Sequence, residues 1–174
     1  MQFFELKNFS IDKERHIDAI NQNKDLFLPV KMFNGESPNV DYVGSQQWSY
    51  YHPQADDVVE ECCKVLNIDQ SLITLQTYLI VPPYMNTWIH YDEDRRCVLA
   101  IELNQVGGAI EWYDTDHNII NSHQYQNPCV INVRDYHRGK GGTDYRYQIQ
   151  LNFDFKLSIK DVFDFYTKSP YYIQ

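Results

Sequence analysis

Residues Tyr145–Phe155 read YRYQIQLNFDF, and they form the clearest strand signal in the 174-residue chain. Aromatic and aliphatic side chains alternate with polar ones at the two-residue period of a strand that buries one face. The apolar row is therefore predicted to pack against a core. The polar row, which begins at Arg146, is ambiguous by itself, because it could face solvent or line a wet cavity.

Other short runs of strand-forming residues precede this stretch from residue 72 onward. Turn signals such as Pro82-Pro83 and Gly107-Gly108 separate them. The predicted strands are Leu72–Val81, Thr87–Asp92, Cys97–Asn104, Ala109–Tyr113, Ile119–Tyr125 and Cys129–Val133. Seven or eight short strands at close spacing favour a sandwich or a barrel.

The length of the chain fits one domain over residues 1–174. Within it, residues 1–70 are predicted to be helical and irregular and to support the strands. Residues 71–155 are predicted to form the β core, and residues 156–174 a short C-terminal helix and tail. Ser158 and Asp161 have the spacing of a capping box that begins this last helix.

Two helices are predicted in the N-terminal part, over Ile11–Asn23 and Asp56–Leu66. The second has apolar residues at helical spacing, with acidic residues and a lysine on the opposite face. A helix of this kind docks its apolar face on the core. We expect it to bury Val59, Cys63 and Leu66 against the strands.

Composition limits the function classes. The formal charge is -9, from 15 basic and 24 acidic residues, and such a field repels phosphate backbones, which disfavours nucleic acid as a substrate. The four cysteines lack the spacing of a zinc site and are interpreted as reduced thiols of a cytoplasmic protein. The sequence has no signal peptide pattern and no apolar run long enough to span a membrane.

The motif with the most chemistry is His90-Tyr91-Asp92, within the predicted strand Thr87–Asp92. Residues two apart in a strand project to the same face, so His90 and Asp92 present an imidazole and a carboxylate side by side. A second imidazole from a neighbouring strand, His137, would complete a two-histidine, one-carboxylate set. Such a set binds one face of an octahedral metal and suits non-haem iron(II).

A second copy of the same spacing, His16-Ile17-Asp18, lies in a predicted helix. Side chains two apart on a helix diverge by about 200 degrees, so this pair cannot chelate one ion. We expect it to lie on a solvated surface.

The residues around His90 form further patterns in a fixed order. The proline turn VPPY at 81–84 precedes His90-Tyr91-Asp92, and GGAIEWYD at 107–114 is a glycine turn that leads into a strand. Residues 128–133, followed by His137, form another strand and turn. In this order the patterns resemble the motifs of the iron(II)- and 2-oxoglutarate-dependent dioxygenase superfamily.

The resemblance covers roughly residues 72–155. It implies a mainly β fold, a double-stranded β-helix (a jelly-roll or cupin-like barrel) with N-terminal helices packed on one sheet. It also implies that His90, Asp92 and His137 bind iron(II). Arg146, nine positions after His137, stands where the superfamily has the basic residue that pairs with the far carboxylate of 2-oxoglutarate. The resemblance also implies dioxygen as the other co-substrate.

The same resemblance resolves the ambiguity in the last strand. Arg146 must face the cavity, so the other polar residues of that strand follow it inward, and the apolar row packs outward on the second predicted helix. Tyr78 is the candidate tyrosine that completes the 2-oxoglutarate site. Tyr84, Trp88 and Trp112 are candidate pocket walls, for which core packing is the simpler interpretation.

The activity that the resemblance implies is hydroxylation of a C–H bond in a small molecule or in an amino-acid or peptide side chain. Two alternatives stay open. One is a cupin-like metal-binding barrel without 2-oxoglutarate, against which a cavity-facing Arg146 argues. The other is a barrel that has lost catalysis and serves as a binding module, against which the intact set of His90, Asp92 and His137 argues.

Overall fold

Two antiparallel sheets form the body of the protein in a computed structural model that describes residues 1–29, 49–53, 56–87 and 89–173. Within these ranges the strands are β1 (Phe3–Glu5), β2 (Leu28–Pro29), β3 (Ser49–Tyr51), β4 (Ile73–Val81), β5 (Cys97–Glu102), β6 (Ala109–Tyr113), β7 (Ile119–Gln124), β8 (Cys129–Asn132), β9 (His137–Lys140) and β10 (Arg146–Phe153). The α-helices are α1 (Lys13–Gln22), α2 (Asp56–Leu66) and α3 (Ile159–Tyr166).

The larger sheet has the strand order β1-β8-β5-β10-β4-β3-β2, and the smaller one has the order β7-β6-β9. The strands pair antiparallel within both sheets, and β10 lies between β5 and β4. This arrangement confirms the predicted mainly β, double-stranded β-helix fold. None of the described helices is long and apolar enough to cross a membrane.

The two faces of β10 separate two different environments. Its apolar residues Ile149, Leu151 and Phe153 belong to one cluster with the buried face of α2. Its residues Arg146 and Gln148 are equally buried but point to the other side. A second apolar cluster lies on that side and joins residues of both sheets: Val98, Ala100, Ile110, Trp112, Tyr125, Cys129, Ile131 and Val133. The polar row therefore faces the space between the sheets, as predicted.

The predicted strand Thr87–Asp92 is wrong as a regular element. Trp88 lies outside the described residues. The described residues of this segment pair with β9 as isolated bridges, Asn86 to Lys140 and His90 to His137, and through hydrogen bonds between Thr87 and Gly139, rather than as a continuous strand. The reason is a change of hydrogen-bond partner. The N–H of Asp92 donates to the carbonyl of Val133, which lies before β9, so the pairing with β9 does not extend beyond His90.

The position of His16 on the N-terminal helix α1 differs from the predicted solvated surface. The helix begins after Asp12, whose side chain accepts a hydrogen bond from the backbone N–H of Arg15. His16 is 1% exposed rather than solvated. Its Nδ1 lies 2.6 Å from the hydroxyl of Tyr78, and its Nε2 lies 3.1 Å from a carboxylate oxygen of Asp57. These two partners satisfy both ring nitrogens and permit burial.

Helix α2 has the predicted bounds, but its buried face is turned by one position. Val58 and Cys62 are fully buried, whereas Val59 and Cys63 are only partly buried, and Leu66 is buried as predicted. Helical periodicity predicts an apolar stripe, and the neighbouring elements determine which edge of the stripe is covered. The capping box of Ser158 and Asp161 is confirmed at the start of α3.

We expect Val58→Ala to lower the free energy of unfolding by about 2 kcal/mol, because it removes two buried methyl groups and leaves a cavity. The matched variant Val59→Ala, one position along the same helix, should cost less than half as much. Urea unfolding followed by circular dichroism measures both. Equal losses for the two variants would contradict this assignment of the buried face.

Candidate metal centre and co-substrate pocket

A single backbone bridge brings two of the candidate ligands together. The N–H of His90 donates to the carbonyl of His137 at 2.9 Å, and the N–H of His137 donates to the carbonyl of His90 at 2.7 Å. Residues that exchange both hydrogen bonds in this way have Cα atoms about 5.5 Å apart and side chains on one face. The two imidazole ring centres accordingly lie 4.4 Å apart.

Asp92 presents its two carboxylate oxygens to different partners. Oδ1 lies 3.6 Å from Nε2 of His90. Oδ2 accepts a hydrogen bond from Nε of Arg95 at 2.6 Å, and Nη1 of Arg95 donates to Oδ1 of Asn152 at 3.2 Å. Arg95 therefore holds one oxygen and ties Asp92 to the interior row of β10. The other oxygen is turned toward the histidines.

His137 is held in the tautomer that a metal ligand needs. Its Nδ1 lies 3.0 Å from the backbone carbonyl of Asp135, which can only accept, so Nδ1 carries the proton. Nε2 then keeps its lone pair, as in metal sites where the other ring nitrogen donates to a carbonyl. Burial, followed by the proximity of His90, lowers the pKa of His137 to about 4. The ring is therefore neutral near pH 7.

The three candidate ligand atoms of His90, Asp92 and His137 all lie within 4.8 Å of one another. In the part of the chain that the structure describes, they form the one group of three or more histidine, cysteine or acidic residues with this spacing. Two imidazoles and one carboxylate leave three positions of an octahedral ion open. The donor set therefore fits iron(II).

Arg146 lies at the start of the interior row and is 1% exposed. Its side chain lies against Gly108, where an added Cβ would come 2.5 Å from Cδ and 2.7 Å from Nη1. The guanidinium lies 5.0 Å from the ring centre of Tyr125. Burial raises the pKa of the Tyr125 hydroxyl to about 12, so this group stays protonated. Gly108 and Tyr125 thus flank the Arg146 side chain, and we call these surroundings the Arg146 pocket.

Glu102 is the unexpected member of this pocket. It is directly opposite Gln148 in the pairing of β5 with β10, and it is 5% exposed. The backbone N–H groups of Val106 and Gly108 lie near it, although no described donor meets hydrogen-bond geometry to either oxygen. Burial raises the pKa of Glu102, and the nearby Arg146 opposes that shift only in part.

No protein-family model and no curated protein matches the chain. Solved structures do match. A Pseudomonas putida prolyl-4-hydroxylase has a TM-score of 0.59 at 16% identity, with 88% of this chain and 92% of that chain covered. The chain has the double-stranded β-helix fold. A Trichoplax adhaerens prolyl hydroxylase, solved with a peptide fragment of hypoxia inducible factor, gives 0.57 at 16% identity, with 89% and 84% covered.

A viral collagen prolyl hydroxylase from Paramecium Bursaria Chlorella virus-1, solved with 2OG, gives a TM-score of 0.50 at 14% identity. The match covers 88% of this chain and 95% of that chain. At these identities the likeness is one of fold. It confirms the predicted double-stranded β-helix and leaves the roles of individual residues to the geometry of this chain.

The structure corrects the predicted position of Tyr78. Tyr78 is opposite Ile149 in the pairing of β4 with β10, on the helix-covered side of the sheet, and its hydroxyl contacts His16. The tyrosine that accompanies Arg146 is Tyr125. The sequence carries no signal for this contact, because Tyr125 follows β7 and reaches Arg146 only through the packing of the two sheets.

The three residues predicted as candidate pocket walls have different outcomes. Trp112 is fully buried in the cluster between the sheets, and its Nε1 donates to the carbonyl of Asn132, which agrees with core packing. Tyr84 is 62% exposed and is no wall of the interior. Trp88 lies outside the described residues. Arg95, which the sequence analysis did not single out, bonds to Asp92.

Proposed function

We propose that this protein is an iron(II)- and 2-oxoglutarate-dependent oxygenase that hydroxylates a C–H bond. The observation that carries the proposal is the convergence of His90, Asp92 and His137 at the edge of an interior that also holds a buried Arg146. The shared fold with prolyl hydroxylases supports it. One fold can host many functions, so the proposal depends mainly on the residues of the site.

The residues of the chain have separate tasks in this proposal. His90, Asp92 and His137 would hold iron(II), which when bound supplies the activation of dioxygen for oxidation of a C–H bond. Arg95 holds the outer oxygen of Asp92, so that one oxygen stays directed at the ion. Arg146 offers a planar fork that meets a carboxylate of 2-oxoglutarate. The apolar cluster between the sheets excludes water from this space.

The substrate proposed is a small molecule or an amino-acid or peptide side chain. The Trichoplax protein was solved with a peptide fragment bound, which makes a peptide one reasonable class for this chain. The charge of -9 disfavours nucleic acid.

A second candidate function is favoured by Glu102. A carboxylate beside Arg146 is able to balance the guanidinium charge from within the chain, and a barrel of that kind needs no dicarboxylate co-substrate. The protein would then be a metal-dependent enzyme without 2-oxoglutarate.

Anaerobic titration separates the two candidates. The protein is loaded with iron(II), which should bind one ion per chain, and 2-oxoglutarate is then added. The proposed function predicts the weak visible charge-transfer band of the iron chelate together with calorimetric heat of binding. Iron binding with neither signal would favour the second candidate, and a protein that binds no iron would contradict both.

A further inference from the structure

Glu102 and Arg146 are diagonal neighbours on the inner face of the larger sheet. Glu102 is opposite Gln148, and Arg146 lies two residues before Gln148 on the same face of β10. Diagonal neighbours across a strand pair are about 7–8 Å apart at the backbone, which long side chains span. Both side chains are almost completely buried. A carboxylate therefore already lies in the pocket where an incoming carboxylate would bind.

Charged and titratable groups lie near Glu102 on several neighbouring elements. On α1, Nζ of Lys13 donates to the backbone carbonyl of Glu102 at 2.8 Å. Tyr125, before β8, and Cys129, on β8, both stay neutral near pH 7, because burial raises their pKa values. On β10, Arg146 attracts the Glu102 carboxylate. On β10, Arg146 is thus the charged side chain that acts on Glu102, whereas Arg95 reaches the same row farther along, at Asn152.

We propose that the pocket binds a dicarboxylate only together with a proton, and that Glu102 is the group that takes this proton up. This inference rests on the proposed function. With Glu102 ionised, a bound dicarboxylate would set two carboxylates against one guanidinium away from water, and like charges so placed do not both stay ionised. With Glu102 protonated, its O–H becomes a donor beside the guanidinium, and both donors serve one bound carboxylate.

The protonation step balances simply. One proton moves from solvent to a carboxylate oxygen of Glu102, and no bond of the co-substrate breaks. Burial already raises the pKa of Glu102, so the proton costs less to place there than on an ordinary carboxyl. Because the protonated form binds, affinity is full below the pKa of Glu102 and falls as pH rises above it, by up to about tenfold per pH unit.

Calorimetry on the anaerobic, iron-loaded protein tests this directly. Titrating 2-oxoglutarate in buffers of different ionisation enthalpy, between about pH 6 and pH 9, counts the protons taken up. Wild type should take up as much as one proton per 2-oxoglutarate. Glu102→Gln keeps the shape and a donor while removing the negative charge. It should bind about tenfold more tightly at the alkaline end and take up no proton.

Glu111→Gln is the matched control. Glu111 is also a buried carboxylate, but it contacts Tyr113, Arg138 and Lys140 on the outer face of the smaller sheet. Glu111→Gln should change neither the affinity for 2-oxoglutarate nor the number of protons taken up on binding.

Binding by wild type without proton uptake at every pH, or no gain from Glu102→Gln, would overturn the inference and leave the proposed function standing. A loss of affinity in Glu102→Gln would also overturn it. If neither protein binds 2-oxoglutarate at any pH, the proposed function itself fails. The proton count of wild type keeps the test decisive even if Glu102→Gln does not fold.

Discussion

Asp92→Ala is expected to abolish stoichiometric iron(II) binding and to leave the fold intact. The loss should exceed the roughly 10- to 100-fold that removal of a residue bonded to a metal ligand typically costs, because here the ligand itself is removed. Asp92 fills no core volume, and the partner it leaves, Arg95, is 28% exposed and can turn to water. Iron content after anaerobic loading and thermal unfolding measure the two effects.

Asp94→Ala is the control for this variant. It removes a carboxylate from the same segment, but the Asp94 side chain is 82% exposed and lies outside the candidate ligand set. Its iron content should equal that of wild type. Full iron occupancy in Asp92→Ala would rule out the proposed ligand set of His90, Asp92 and His137.

Arg146→Leu is expected to weaken 2-oxoglutarate binding by roughly 30-fold or more, with iron binding nearly unchanged. Truncating one partner of a buried charge pair typically costs about 2–5 kcal/mol, and every 1.4 kcal/mol is about tenfold in affinity. Leucine retains part of the side-chain volume and removes the cation. Arg146→Lys should lie between, because it keeps the charge and loses the planar fork.

Anaerobic calorimetry gives both affinities for each variant. Arg96→Leu, which removes an exposed arginine just before β5, controls for the change in net charge and should bind 2-oxoglutarate as wild type does. If Arg146→Leu binds the co-substrate as tightly as wild type, Arg146 is not its partner, even if the iron site stands.

The alternation in Tyr145–Phe155 was sufficient to predict β10 and its apolar face, but the burial of its polar face followed only from the resemblance. The period of the helix Asp56–Leu66 likewise predicted an apolar stripe without determining which edge of it is buried. The strand β9 was not predicted, because His137-Arg138-Gly139-Lys140 carries no strand-forming residues. The neighbours of β9 in space, not its own residues, make it a strand.

The pocket around Arg146 was only partly predictable. Arg146 itself stood out as a cation at a defined distance from His137 along an alternating strand. Glu102 and Tyr125 did not, because β5–β10 register and the packing of the two sheets bring them to Arg146 across long sequence separations. The burial of His16 has the same origin, since its partners come from α2 and β4.

His90 and Asp92, two of the three candidate ligands, join the barrel through an isolated bridge to His137 and a backbone bond to Val133 rather than through a continuous strand pairing. The third candidate ligand, His137, belongs to β9. An ion bound by all three would therefore link residues that few backbone bonds connect, and a ligand that binds only the native state stabilises it by mass action. We expect metal binding to strengthen the attachment of His90 and Asp92 to β9.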